Sequence, residues 1–307
     1  MSVLDEIVAN TRAELARRKV SVSRAALERE CAAAPASRDF ESALRASPGA
    51  VRLIAEVKKA SPSRGVLASG LDPVALATTY ATGGAHAISV LTDEKYFRGS
   101  LDDLRRVRAA VGVPLLRKDF TIDEYQLWEA RAAGADAVLL IVSILETTEL
   151  RELLAAAKGL GLAALVECHT AAELDRALAV GSRIVGINNR DLTNFETRIT
   201  TTLELLPLIP PGPIIVSESG FFTAADVRQV VSAGAHAILV GEGLVRARRA
   251  GRAIVDEAER RNSEIIVMGA PRRDRSGPRG PIFGGTVDFV LKNAPCRVMV
   301  AAAPRAA

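Results

Sequence analysis

The sequence predicts a closed (β/α)8 barrel, and three observations support that fold. First, three segments are nearly identical, and each reads as a helix that ends at a glycine, followed by a strand buried on both faces: Gly84–Leu91, Gly134–Ile141 and Gly234–Gly241. Second, five further apolar runs bring the predicted strands to eight over roughly 200 residues, with a helix-length pattern in most intervals. Third, no Gly-x-Gly-x-x-Gly follows the first strand, which disfavours a doubly wound open sheet, the alternative. The five further runs are Leu53–Val57, Val113–Leu116, Leu162–Val166, Arg183–Ile187 and Pro213–Val216.

The segments outside the barrel pattern suggest three parts. In residues 1–50, helical periodicity over Asp5–Val20 and Ser23–Ala33 predicts an extension that packs over one end of the barrel. Residues 51–262 contain the barrel. Residues 263–307 form a tail that continues beyond the last expected helix.

Composition is typical of a globular enzyme and excludes several other classes. Hydrophobic residues make up 49% of the 307, and the formal net charge is only +4, so we expect no nucleic-acid partner. No apolar window is long enough for a membrane span, and the N-terminus lacks the apolar core of a signal peptide. Three separated cysteines indicate neither disulfides nor a zinc site. We therefore expect a cytoplasmic protein, either a monomer or a weak homo-oligomer.

Polar side chains follow most of the predicted strands. Burying a charge costs several kcal/mol unless it is paired, so charges at the end of an apolar strand need a partner or a ligand. In a (β/α)8 barrel the carboxyl ends of the strands carry the active site. Lysines and carboxylates that converge there would shift each other's pKa, as acid–base catalysis near neutral pH requires. The residues concerned are Glu56, Lys58, Lys118, Glu167, Asn188, Glu218, Ser219 and Glu242.

Glycine-containing turns after the last two strands predict a phosphate site. Ser219-Gly220 and Gly241-Glu242-Gly243 lie where this fold often binds phosphate through backbone N–H groups. The sequence therefore favours a small phosphorylated substrate. No metal and no cofactor are expected: His86 and His236 belong to the repeated strand entries at the opposite end of the barrel, and His169 lacks a second ligand at a suitable spacing.

Six motifs resemble those of the indole-3-glycerol phosphate synthase family, in the same order along residues 1–247. They are Ile54–Gly65, Ser89–Ser100, Arg117–Phe120, Gly186–Leu192, Ser217–Gly220 and Val240–Glu242. The resemblance implies closure of 1-(2-carboxyphenylamino)-1-deoxyribulose 5-phosphate to indole-3-glycerol phosphate, with loss of CO2 and water, in tryptophan biosynthesis. A phosphoribosylanthranilate isomerase is the alternative, but it leaves the Glu56/Lys58 and Lys118/Glu167 sets without a role.

The same resemblance implies a role for each site residue. Lys118 resembles the general acid of ring closure, and Glu167 its partner in the later proton transfers and dehydration. Lys58 would bind the substrate's anionic groups, with Glu56 orienting it. Asn188, Ser219 and Glu218 match supporting polar positions, and Ser61 and Arg190 match anion-binding positions. Gly220, Gly241 and Glu242 match phosphate-binding positions. Phe97 and Phe120 match positions that pack on the aromatic ring. Lys59 and Arg117, each next to an inward lysine, should point away from the barrel interior.

The tail resembles part of a second family. Residues 251–302 look like the C-terminal portion of a universal stress protein domain, whose Gly-rich loop and following Gly-Thr resemble an adenine nucleotide phosphate site. The match is partial, because the domain's first strands are absent and Arg272 replaces a loop glycine. Two hypotheses follow for the tail. In the first it is a passenger, which arose from a gene fusion, a shifted reading frame or a partnering half-domain. In the second it is a regulator that binds nucleotide or a partner.

Overall fold

The structure, a computed structural model, describes residues 2–46, 50–62, 65–66, 70–191, 196–244, 265–269, 290–292 and 294–301. The chain divides into two compact units, Met1–Gly241 and Glu242–Ala307. In the second unit, two strands pair in parallel, with Ile265 opposite Arg297 and Gly269 opposite Ala301. The candidate site residues, Glu242 excepted, all lie in the first unit.

The first unit contains a closed barrel of eight parallel strands, which confirms the predicted fold. Each strand pairs with its neighbours in sequence, and the last strand pairs with the first to close the barrel. The strands are β1 Arg52–Val57, β2 Ala87–Leu91, β3 Leu115–Lys118, β4 Ala137–Ile141, β5 Ala163–Cys168, β6 Ile184–Asn188, β7 Ile214–Glu218 and β8 Ala237–Val240.

In the described residues of this unit, ten α-helices precede, connect or flank the strands. Most of their N-termini are capped by Ser, Thr or Asp side chains; Ser23, for example, accepts a hydrogen bond from the Ala26 N–H at 3.2 Å. The helices are α1 Val3–Ser21, α2 Arg24–Ala33, α3 Phe40–Leu44, α4 Pro73–Thr82, α5 Leu101–Ala110, α6 Glu124–Ala132, α7 Thr147–Gly159, α8 Ala171–Ala179, α9 Thr200–Leu205 and α10 Ala224–Ala233. None of the helices in the described ranges is long and apolar enough to cross a membrane.

The N-terminal extension packs onto the barrel core. Ile7 of α1 is buried in the same apolar cluster as Phe40 and Leu44 of α3 and the strand residues Ile54 and Leu116. Helix α3, which the sequence analysis did not predict, has only five residues, so its periodicity is too short to recognise. Its two large apolar side chains, Phe40 and Leu44, are nevertheless almost fully buried.

The three repeated segments share two structural features that explain why their sequences are alike. Their glycines Gly84, Gly134 and Gly234 all adopt positive φ (92°, 85° and 114°), which a residue with a side chain rarely does. Two residues later, His86, Asp136 and His236 each accept a hydrogen bond from a backbone N–H of the preceding strand (2.8–3.1 Å). As acceptors the two histidines are neutral, and burial lowers the pKa of both. They are structural, as the sequence predicts.

Candidate active site

Lys118, the last residue of β3, lies between two buried carboxylates. Its Nζ is 2.8 Å from Oε2 of Glu167 on β5 and 3.1 Å from Oε2 of Glu218 on β7. Both glutamates are 1% exposed. Burying three charged groups is costly, and the cost is reduced only because opposite charges are in direct contact. Three strands that are not neighbours therefore bring one acid–base centre together inside the barrel.

The contacts push the pKa values of the two carboxyl groups apart. Burial raises the pKa of Glu218, and the nearby negative charge of Glu167 raises it further, against the effect of Lys118. Burial also acts to raise the pKa of Glu167, but the charges of Lys118 and His169 and a hydrogen bond from Asn188 outweigh it and lower that pKa. Burial would lower the pKa of Lys118, but three glutamates raise it above its usual value. Near neutral pH, Glu167 is thus ionised while Glu218 holds a proton.

Glu56 and Lys58 form a second charged pair at the end of β1. They lie two residues apart on the inner face, and the Lys58 ammonium contacts Oε1 of Glu56. The carboxylate of Glu56 fills the space beside Gly241: a Cβ at that glycine would lie less than 3.0 Å from Oε1 and 3.2 Å from Cβ of Glu56. Gly241 therefore has a steric role in the site, and its predicted phosphate contact stays a prediction.

A second glycine makes room for Glu218 in the same way. A Cβ at Gly186 of β6 would lie less than 3.0 Å from Oε1 of Glu218. Two residues further along the same inner face, Asn188 is opposite Glu218 in the strand register, and its Oδ1 accepts the N–H of Arg190 at 3.1 Å. Asn188 was predicted as a site residue and Gly186 was not, although the position of Gly186 two residues before Asn188 places it on the same inner face.

His169 extends the charged centre away from Lys118. Its Nε2 is 3.6 Å from Oε1 of Glu167, and its Nδ1 is 3.2 Å from Oε2 of Glu173, which also accepts the His169 backbone N–H at 2.7 Å. Burial acts to lower the pKa of His169, but the neighbouring carboxylates raise it. Glu167 thus lies between Lys118 and His169.

The turn after β7 has an uncommon backbone conformation. Ser219 and Gly220 both adopt positive φ (65° and 87°), which costs a residue with a side chain about 1–3 kcal/mol. The carbonyl of Ser219 accepts a hydrogen bond from Nδ2 of Asn189 at 3.1 Å. A Cβ at Gly220 would lie 3.0 Å from Cγ2 of Thr197, so this turn is also tightly packed.

The aromatic candidates lie together. The rings of Phe97 and Phe120 are 6.1 Å apart between centroids and tilted by 40°; Phe120 belongs to the apolar cluster that includes Ile7, and Phe97 packs against that cluster. Oδ1 of Asp93 accepts the N–H groups of Tyr96 and Phe97 at 2.7 and 3.0 Å. Asp93 therefore fixes the loop that carries Phe97.

The remaining candidates are placed as follows. Ser61 is buried in a two-residue strand that pairs with Gly65 and Val66. Nε of Arg190 donates to Oγ1 of Thr197 at 3.2 Å. Glu242 follows β8 directly and is the first residue of the second unit.

The two residues predicted to point outward do so, and both are paired. Nζ of Lys59 is 2.6 Å from Oδ2 of Asp103. Arg117 is only 1% exposed, because helix α6 covers that face of β3, and its NH2 is 2.9 Å from Asp119 and 3.3 Å from Glu129. Glu129 in turn accepts from Nε of Arg18 of helix α1 at 2.8 Å.

Fold and site together define a class of protein. The closed (β/α)8 barrel holds an ammonium group between an ionised and a protonated carboxyl. A second Lys–Glu pair and a tight Ser-Gly turn after β7 lie at the same strand ends. Such an arrangement is that of a barrel enzyme that uses acid–base catalysis.

Comparison with known proteins identifies the family. A family model described as indole-3-glycerol phosphate synthase matches residues 4–256. Proteins named indole-3-glycerol phosphate synthase from Roseiflexus sp. (strain RS-1) and Roseiflexus castenholzii are 52% and 53% identical over 254 residues, 80% of this chain and 94% of each relative. That from Kineococcus radiotolerans is 49% identical over 259 residues, 83% of this chain and 94% of the relative. The chain belongs to the indole-3-glycerol phosphate synthase family of carboxy-lyases in tryptophan biosynthesis.

Two further matches concern the fold and the tail. N-acetylmannosamine-6-phosphate 2-epimerase from Clostridium perfringens superposes with a TM-score of 0.51 at 15% identity, over 67% of this chain and 93% of that chain, and shows the shared fold alone. A universal stress protein family model matches residues 216–302. The two family matches therefore overlap between residues 216 and 256.

Proposed function

We propose that this chain closes 1-(2-carboxyphenylamino)-1-deoxyribulose 5-phosphate to indole-3-glycerol phosphate with Lys118 as the general acid. The ring carbon that carries the carboxylate attacks the ketone, and the ketone oxygen takes a proton from Lys118. CO2 then leaves, and its bonding electrons restore the aromatic ring. The observation that carries this proposal is the contact of Nζ of Lys118 with Glu167 and Glu218, because the ionised Glu167 keeps the amine protonated until an alkoxide develops nearby.

The dehydration step requires one acid and one base. The new hydroxyl leaves as water after protonation, and a proton leaves the neighbouring carbon. The divergent pKa values of Glu218 and Glu167 support a protonated and an ionised carboxyl at this stage. We assign the base to Glu167, which lies between Lys118 and His169, and place Asn188 as the hydrogen-bonding group that keeps it ionised.

The other candidates bind the substrate in this proposal. Lys58, oriented by Glu56, attracts the substrate carboxylate. Phe97 and Phe120 form an apolar wall for its aromatic ring. The phosphate is assigned to a final group, which consists of Ser61, Arg190, Ser219, Gly220, Gly241 and Glu242.

A product assay on the purified full-length chain tests the proposal. The substrate is incubated with wild-type protein, and indole-3-glycerol phosphate is followed by its indole absorbance and fluorescence. We expect steady turnover with release of one CO2 for each product molecule. Absence of the indole chromophore would refute the proposal, and isomerisation of phosphoribosylanthranilate in a parallel assay would replace it with the isomerase reading. We also propose the domain limits 1–50, 51–262 and 263–307, which follow from the helix and strand pattern of the sequence.

A further inference from the structure

A closed ring of hydrogen bonds lies behind the turn at Ser219 and Gly220. Nδ2 of Asn189 donates to Oγ of Ser217 at 3.0 Å. Oγ of Ser217 and Oγ1 of Thr202 are 2.6 Å apart, and Oγ1 of Thr202 donates to Oδ1 of Asn189 at 2.9 Å. The Thr202 hydroxyl has one proton and donates it to Asn189, so Ser217 must be the donor to Thr202. All three side chains are at most 2% exposed.

Both amide protons and the amide oxygen of Asn189 are engaged in hydrogen bonds. Its second amide proton goes to the carbonyl of Ser219 at 3.1 Å, and its Oδ1 also accepts the backbone N–H of Thr202 at 3.1 Å. These two partners fix the orientation of the amide, because a flipped amide would place oxygen against the Ser219 carbonyl and NH2 against the Thr202 N–H. The main chain is held as well: the Asn189 N–H donates to the carbonyl of Glu218, and its carbonyl accepts from Arg198.

The ring therefore restrains Ser219, whose backbone is strained. Ser219 has a φ of 65°, and its carbonyl is the group that Asn189 holds. The side chain of Asn189 also lies behind Gly220, since a Cβ there would be 3.9 Å from Cβ of Asn189. Asn189 follows an inward residue and so points outward from the barrel, toward α9, where it does not reach the reacting atoms.

From these contacts we infer that Asn189, with Ser217 and Thr202, is the positioning residue of the phosphate-binding turn. This inference rests on the proposed function, in which Ser219 and Gly220 bind the substrate phosphate. A turn held in advance binds phosphate more tightly, because no ordering cost remains to be met on binding. The ring should therefore affect the binding of substrate and of inorganic phosphate, and have little effect on the chemical step.

The experiment uses the full-length chain with Thr202→Val, its matched variant Thr202→Ser, and Asn189→Leu. Thr202→Val keeps the shape and the backbone N–H but opens the ring, whereas Thr202→Ser keeps the hydroxyl. We expect Thr202→Val to raise KM and the inhibition constant of inorganic phosphate about three- to tenfold, with kcat changed less than about twofold, and Asn189→Leu to have a larger effect in the same direction. Thr202→Ser should restore both constants.

Phosphate binding is also measured directly, by the shift in melting temperature that inorganic phosphate causes, so the outcome does not depend on turnover. If the wild type lacks the proposed activity but phosphate still stabilises it, and Thr202→Val weakens that effect, the proposed function fails and the inference stands. The inference is overturned if the wild type gains no stability from phosphate, or if Thr202→Val leaves phosphate binding unchanged. A fall in kcat at constant KM would also overturn it. Should Asn189→Leu fail to fold, the Thr202 pair decides the question.

Discussion

The carboxylate of Glu56 occupies the space in which a side chain at Gly241 would lie. A Cβ at that glycine would approach Oε1 of Glu56 to less than 3.0 Å, a distance that packed atoms do not adopt. Because β8 neighbours β1 in the barrel, the absence of a side chain on one strand allows a charge on the other. The same relationship holds between Gly186 and Glu218. Two of the inward carboxylates thus depend on glycines of adjacent strands.

Gly241→Ala should therefore impair catalysis without unfolding the chain. The added methyl group displaces Glu56 from Lys58, and a misplacement of about 1 Å can reduce turnover up to about a hundredfold. We expect kcat/KM to fall by about 10–100-fold, measured by the product assay. Gly112→Ala is the matched control, because a Cβ at Gly112 meets no atom within 4 Å. Equal activities of the two variants would show that Glu56 does not need its present position.

Lys118→Met should remove the acid and leave two carboxyl groups facing each other. We expect kcat to fall by a factor of about 10²–10⁴. The pKa of Glu167 should rise, because its principal counter-charge is lost. Lys59→Met removes the same charge from the outer face, where Lys59 pairs with Asp103, and should leave kcat within about threefold of the wild type. Near-normal turnover of Lys118→Met would exclude Lys118 as the general acid.

Arg117→Met should destabilise the chain strongly. Arg117 contacts Asp119 and Glu129, both buried, and its removal takes the cation from Asp119 and leaves Glu129 paired with Arg18 alone. Breaking a buried ion pair on one side typically costs about 3–5 kcal/mol. Arg183→Met is the control, because that side chain is 72% exposed in its pair with Glu41, and should cost less than about 1 kcal/mol. Urea unfolding of both variants measures the difference, and equal midpoints would contradict the assignment.

Asp93→Asn should change how stability depends on pH. Burial, together with the nearby charges of Asp119 and Glu14, raises the pKa of Asp93 to about 6, against two backbone N–H groups that lower it. A carboxyl whose pKa is higher in the folded state binds its proton preferentially there, so wild-type stability falls as pH rises from about 4 to about 6. The asparagine keeps the oxygen that accepts from Tyr96 and Phe97 but carries no charge. It should be more stable than the wild type above pH 6, by up to ~3 kcal/mol, and nearly equal at pH 4.

Asp226, whose pKa is shifted in the opposite direction, provides the control for the Asp93 measurement. Hydrogen bonds from the N–H groups of Phe222 and Thr223 lower the pKa of Asp226, although burial acts the other way. The stability that Asp226 contributes is present above its unfolded pKa and is lost as pH falls through the folded value. Asp226→Asn should therefore lose stability at neutral pH and little at low pH. Thermal unfolding between pH 3 and 8 compares the two, and parallel curves for both variants would contradict the pKa shifts.

The fold and much of the candidate site could be predicted because their signals are local. A strand covered on both faces is a short apolar run, and a charge at its end is conspicuous, so Lys118, Glu167 and Glu218 could be selected from position alone. The opposite pKa shifts of Glu167 and Glu218 could not be predicted, since these shifts depend on distances across the barrel.

The missed features depend on contacts between distant segments. Arg117 points outward as predicted, but the outer face of a barrel strand is covered by a helix, so it is buried in an ion network instead of reaching solvent. The sequence shows Gly186 and Asn189 without showing which atoms will fill the space beside them. Hydrogen-bond partners such as Thr202, 13 residues from Asn189, become neighbours only when α9 packs on the barrel.

Removing the tail should leave catalysis intact if the tail is a passenger. The family match ends at residue 256, and the relative from Roseiflexus sp. aligns over 94% of its own length with 80% of this chain. A chain that ends after residue 262 keeps all of that match. We expect its kcat and KM to stay within about twofold of the full-length values, and ATP to have no effect on either protein. A regulatory tail requires the reverse: ATP would alter the activity of the full-length chain only, or truncation would change KM several-fold. Titration of ATP into both proteins, followed by the product assay, separates the two hypotheses.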